Sequence, residues 1–100
     1  MPVKPNPPEK MQPREVGKRL AKLRALNNLS ATDCWRALKM QPSAWSAYES
    51  GGRALPAITA AMIANHFGVT LDYLYLGDRR ALPFDLARKL ENGNSGGPDT

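Results

Sequence analysis

A nucleophile, a metal site or an acid–base pair in this chain would have to be drawn from one cysteine, Cys34, one histidine, His66, and nine carboxylates. Cys34 has no partner for an internal disulfide, and with His66 it falls short of the four ligands a structural zinc site wants. The carboxylates are scattered without catalytic spacing, so the chain reads as a non-enzyme with no metal and no cofactor. What is concentrated instead is positive charge. Fourteen Lys and Arg face nine Asp and Glu, for a formal net charge of +5 over 100 residues. Residues 1–40 hold nine of those cations against three carboxylates, whereas residues 41–100 hold five against six. Such an asymmetry suits a polyanion, because each neutralised phosphate releases condensed counterions; a solvated basic face is the plainer alternative.

The elements that must position this charge are short helices. Five of the nine prolines fall in residues 1–13, where fixed φ angles and missing N–H groups predict an extended, mobile, basic arm. Residues 91–100, ENGNSGGPDT, offer no apolar anchor and predict a disordered tail. Between them, β-branched residues are sparse and apolar ones recur every three or four positions, which predicts an all-α fold. A first helix runs from Arg14 to Leu26, with Val16, Leu20 and Leu23 on one stripe, and ends at Asn27 and Asn28. Ser30 caps a second helix in an S-x-x-D capping box closed by Asp33, with Cys34, Ala37 and Leu38 expected inside. A third runs from Pro42 to Ser50 and stops at Gly51; a fourth from Pro56 to Phe67 stops at Gly68. Thr70 caps a fifth, Leu71 to Leu76, stopped by Gly77, and a last amphipathic turn or two spans Pro83 to Leu90. No apolar run approaches the length of a membrane span, and the Pro-rich start is unlike a signal peptide, so a soluble, cytoplasmic protein without membrane attachment is expected.

A capped helix, a tight turn through Lys39 to Gln41 and a second helix from Pro42 is the order of parts in a helix-turn-helix. The run LNNLSATDCWRALKMQPSAWSAYESGGRALP, followed by FGVTLDYLYLG, resembles the lambda-repressor-like (Cro and cI type, XRE) helix-turn-helix domain of phage and bacterial regulators. The resemblance covers Val16 to Gly77. Its most specific pieces are Tyr48, Glu49, Gly51 and Arg53 with Pro56 close behind, and the closing motif Gly68, Val69, Thr70, Leu71, Asp72 and Leu74. It implies a compact five-helix domain over residues 14–77, with residues 78–90 as a short C-terminal helical extension. It further implies a transcriptional regulator that binds a short operator in double-stranded DNA, with the 42–50 helix in the major groove. Base readout would fall to Gln41, Pro42, Ser43, Ala44, Ser46, Ala47 and Ser50, and phosphate contacts to Ser30, Thr32, Arg36, Lys39 and Arg53. Arg24 and Glu49 match a pair that bridges the first and third helices in many relatives, and Trp45 matches a core position. Ala31 departs from the pattern, because relatives often place a phosphate-binding Gln there.

The proposed reading face is chemically plain. Only Gln41 can make a bidentate contact with adenine, the serines are promiscuous, and the alanines can at best touch a thymine methyl. A protein-binding or antitoxin-type module on the same scaffold, with weak or no DNA binding, is therefore the rival reading. The fourth helix is apolar nearly all round, and Ile58 and Met62 point away from its other apolar residues. Either the last helix covers them or a homodimer does, through Ile58, Met62, Tyr73 and Tyr75. Trp35 has no assigned place, and His66 is expected at the surface.

Overall fold

The computed structural model of the chain describes residues 7–96, with side chains as far as Glu91. The described residues are all-helical, with no strand. A short 3-10 turn, Glu9–Met11, precedes α1 (Pro13–Leu26), α2 (Ala31–Ala37), α3 (Pro42–Ser50), α4 (Ala57–Phe67), α5 (Leu71–Leu76) and α6 (Phe84–Gly96). The side-chain caps and glycine stops of the central helices act where the sequence implies. Ser30 Oγ accepts from the Asp33 N–H while the Asp33 carboxylate accepts from the Ser30 N–H, a closed capping box at the start of α2. Thr70 Oγ1 caps α5 by accepting from the Tyr73 N–H at 3.0 Å, a single bond with no reciprocal partner. Gly51, Gly68 and Gly77 take left-handed φ values of 84°, 72° and 73°, ending α3, α4 and α5.

Both ends of the chain depart from expectation. The segment expected to be extended through residue 13 forms the 3-10 turn, and α1 already starts at Pro13, whose missing N–H costs nothing in a first helical turn. Residues 1–6, the first part of the expected basic arm, lie outside the described residues. At the other end α6 continues through residue 96, into the stretch read as tail; helix propagation from an anchored first turn needs no apolar side chain of its own. Residues 97–100 again lie outside the description.

The core is one cluster. Leu20 and Leu23 of α1, Cys34 of α2, Trp45 of α3, Ile63 of α4, Leu74 of α5 and Leu90 of α6 are fully buried. Ala37, expected inside, is exposed, because α2 ends there and the chain turns away. Leu82 and Leu90 make the C-terminal segment part of the core: α6 packs on α1 and does not cover α4. Burial raises the Cys34 thiol above its usual range, so it stays protonated and serves as a small apolar side chain.

The tightest crossing is between α1 and α3. A Cβ built on Gly17 would fall on the backbone carbonyl oxygens of Tyr48 and Glu49, so only glycine permits this approach. Gly52 is the natural control, since a Cβ there meets the Ser50 hydroxyl only at an ordinary 3.5 Å. We expect Gly17→Ala to lower the urea unfolding free energy by about 1–3 kcal/mol through overpacking, and Gly52→Ala to leave the urea midpoint nearly unchanged.

Candidate nucleic-acid interface

The inner side of α3 is fastened by one carboxylate. Glu49 Oε2 lies 2.7 Å from Arg24 Nη2, and Arg24 Nε donates to both carboxylate oxygens at 3.1 Å. The indole Nε1 of Trp45, one turn earlier on the same helix, donates to Glu49 Oε1 at 2.7 Å. Arg24 Nη1 spends a further donor on the Leu29 carbonyl, at 3.2 Å, in the approach to α2. The hydrogen bond to Glu49 raises the Arg24 pKa further above its already basic value, so the guanidinium is permanently charged. A fork of this kind holds α1, α3 and the α1–α2 connection in one geometry. The spacing of Trp45 and Glu49, four apart on one helix, was visible in the sequence but was not read as a hydrogen bond.

With Trp45 and Tyr48 buried beneath it, α3 turns a polar stripe outward. Gln41, Pro42, Ser43, Ser46 and Ser50 are exposed. Ala44 and Ala47 are half-buried, and Ala44 packs against the core, so it stands at the margin of the stripe. The Ser50 hydroxyl donates to the Ala47 carbonyl at 3.2 Å and accepts from the Gly52 N–H at 3.3 Å, which ties it to the end of its own helix. The donors and acceptors left for an external ligand are therefore those of Gln41, Ser43 and Ser46.

Exposed cations precede and follow α3 in the sequence. Arg36, on the last turn of α2, lies with its guanidinium carbon 5.6 Å from the centre of the Trp35 ring, and Arg53, just past α3, is 5.6 Å from that of Tyr48. Both side chains are exposed, and the ring beneath each limits where it can swing. Trp35 thereby finds its place: half-buried against the core, with one face carrying Arg36. Lys39 is exposed at a left-handed φ of 55°, a strained conformation for a non-glycine residue, and it forms the bend between α2 and α3.

The start of α2 is less open than expected. Thr32 is exposed, but the Ser30 hydroxyl and the N–H groups of Ser30 and Asp33 are engaged in the capping box. Hydrogen bonds from the Ser30 N–H and hydroxyl hold the Asp33 carboxyl below its ordinary pKa, so a negative charge already occupies the end of the helix that would attract a phosphate. The start of α3 has no side-chain cap: Gln41 precedes Pro42 without such a bond.

The residues expected at a two-fold interface separate. Ile58 is 80% exposed and Met62 45%, on the uncovered side of α4. Tyr73 is only 4% exposed, and Tyr75 is half-buried with its hydroxyl donating to the Leu55 carbonyl at 2.7 Å. Tyr73, expected at the interface, instead belongs to the core, because the face α5 turns to α1 is set by tertiary packing; Tyr75 keeps part of its surface exposed. His66 is exposed, with its ring edge-on to Phe67. Among the described residues no three His, Cys, Asp or Glu side chains gather as metal ligands, and no helix is long and apolar enough to cross a membrane.

No family model, curated protein or solved structure matches this chain.

The fork makes a quantitative claim. The Arg24 and Glu49 side chains retain 29% and 17% of their exposure, which moderates the value of the pair relative to full burial. Unfolding of Arg24→Met, Glu49→Met and the double variant should give a coupling of about 1–2 kcal/mol. Additive losses would mean the two charges stabilise the fold independently.

Proposed function

We propose that the chain is a DNA-binding regulator of the lambda-repressor-like helix-turn-helix class, with α3 entering the major groove. The observation that carries this reading is the outward stripe of α3, exposed at Gln41, Pro42, Ser43, Ser46 and Ser50, with the exposed cations Arg36 and Lys39 before the helix in sequence and Arg53 just after it. A helix braced from behind and polar in front can be inserted into a groove as a rigid body, while flanking cations hold the phosphates on either side. Gln41 is positioned at the first turn, where a bidentate contact to adenine is feasible, and Ser43 and Ser46 supply single contacts. With so few specific donors, part of the discrimination falls to DNA shape and deformability. Arg53 is the principal phosphate contact, oriented by the Tyr48 ring beneath it.

The exposed pair Ile58 and Met62 provides the two-fold contact of a homodimer, which would set two copies of α3 on half-sites about one DNA turn, roughly 34 Å, apart. The rival reading, a protein-binding or antitoxin-type module, draws support from the α2 start being filled by Asp33, which removes one phosphate anchor.

Selection from a random duplex pool, followed by titration at several salt concentrations, tests the proposal. Binding should fall steeply with salt; absence of duplex binding at low salt would leave the protein-binding reading in its place. Arg53→Ala should weaken all duplexes alike and reduce the logarithmic salt slope by about 1. Gln41→Ala should relax preference at one base position by about 1–3 kcal/mol.

The dimer has its own test. Met62→Glu should shift sedimentation to the monomer and weaken binding to a two-half-site duplex, while binding to a single half-site is unchanged. An unaltered sedimentation profile and affinity would exclude this face as the contact.

A further inference from the structure

A second cationic surface lies on the other side of α1. Gly17 and Arg24, about two turns apart, face α3, whereas Arg19 and Lys22 fall on the opposite side of the same helix. There a trough of about 730 Å³ opens between the 3-10 turn, the α5–α6 connection and α6. Its lining combines the apolar Leu76, Phe84 and Ala87 with the cations Lys10, Arg79 and Arg88. A smaller depression of about 320 Å³, lined in part by Arg19 and Lys22, shares Lys10 and Arg79 with it and extends the cationic lining along α1.

The charges within the trough do not cancel. Arg80 and Asp78 neutralise each other at 2.8 Å, and the hydrogen bonds from Arg80 hold the Asp78 carboxyl down at about 2. Among the described residues neither Lys10 nor Arg79 has an ion-pair partner within 4 Å, and Arg88 lies over the Phe84 ring, 5.7 Å from its centre. Glu91 is the one remaining carboxylate of the lining. Phe84 is nonetheless 73% exposed, a large aromatic surface left in water between cations.

We propose that this trough docks an acidic peptide segment of a partner protein, one in which Asp or Glu alternates with Leu or aromatic side chains. Charge selects the occupant. The carboxylates of such a segment meet Lys10, Arg79 and Arg88, and its apolar side chains cover Leu76, Phe84 and Ala87. A second copy of this chain would bring the same cations face to face. A small molecule could not be enclosed in a trough whose main aromatic is three-quarters exposed, whereas a peptide needs only to lie along it. The cations Arg19 and Lys22 beside it fall on the side of α1 opposite the one packed on α3. The inference is independent of whether α3 binds DNA.

The test is a titration of the isotopically labelled full chain with a short synthetic peptide alternating Glu with Leu and Phe, read by amide chemical shifts. Shifts should gather at Leu76, Gly77, Ala87 and Arg88, and affinity should fall about tenfold or more when Gln replaces the peptide's Glu. The Arg79→Glu, Arg88→Glu double variant should lose a similar factor without changing duplex binding. Lys10→Glu and Phe84→Ser, at exposed positions, supply the same comparison if Arg79→Glu disturbs folding. The proposal is overturned by shifts confined to residues 41–53, by variants that bind the peptide as tightly as the parent, or by a single-stranded oligonucleotide that shifts the trough residues more strongly than the peptide does.

Discussion

Glu49 is the carboxylate on which the arrangement of this small fold turns, because it takes hydrogen bonds from Arg24 on α1 and from Trp45 on its own helix while its backbone sits against Gly17. A domain of this size buries too little apolar surface to tolerate a loosely held element. Here the polar fork and the glycine crossing act on the same stretch of α3 from two directions. The crossing sets how closely α1 and α3 approach, and the fork sets their rotation. Arg24 then carries the constraint to Leu29, just ahead of the capping box that starts α2. The position of α3 relative to α2 thus follows from contacts made behind it, which leaves its front face unconstrained in composition.

That division explains a surface which looks featureless from the sequence. Small polar residues at Ser43 and Ser46 would be poor choices for stabilising a helix, yet they cost little where Trp45 and Tyr48 supply the burial. Positive charge is then distributed on both sides of α1. One group, Arg36, Lys39 and Arg53, lies just before and after α3 in the sequence; the other, with Lys10, Arg79 and Arg88, lines a partly apolar trough against α6. The same net charge therefore divides into two surfaces of different character, one polar and one with an exposed aromatic side chain.

Much of the fold was legible because its signals are local. The capping residues Ser30 and Thr70, the prolines at helix starts and the glycine stops act within one turn of the chain, and α2, α3 and α5 have the limits these residues imply. Contacts between distant residues were not readable in the same way. Arg24 and Glu49 came together only through a family resemblance, since nothing in spacing links residues 25 apart. Gly17 was not singled out, because a glycine inside a helix says nothing about which backbone will pass over it. The burial of Tyr73 was not readable because the short α5 has no clear amphipathic stripe, and the choice of buried face belongs to its neighbours.

By itself the sequence determined an all-helical chain, the order and limits of its central helices, and the concentration of cations toward its first forty residues. These follow from backbone dihedral preferences, capping and periodicity, each decided by residues a few positions apart. Tertiary structure alone decided that α6 joins the core through Leu90, that Ile58 and Met62 stay uncovered, and that cations from the 3-10 turn and from α6 border one trough. Those outcomes depend on how whole helices pack, and packing selects among faces that the periodicity of one helix leaves equivalent.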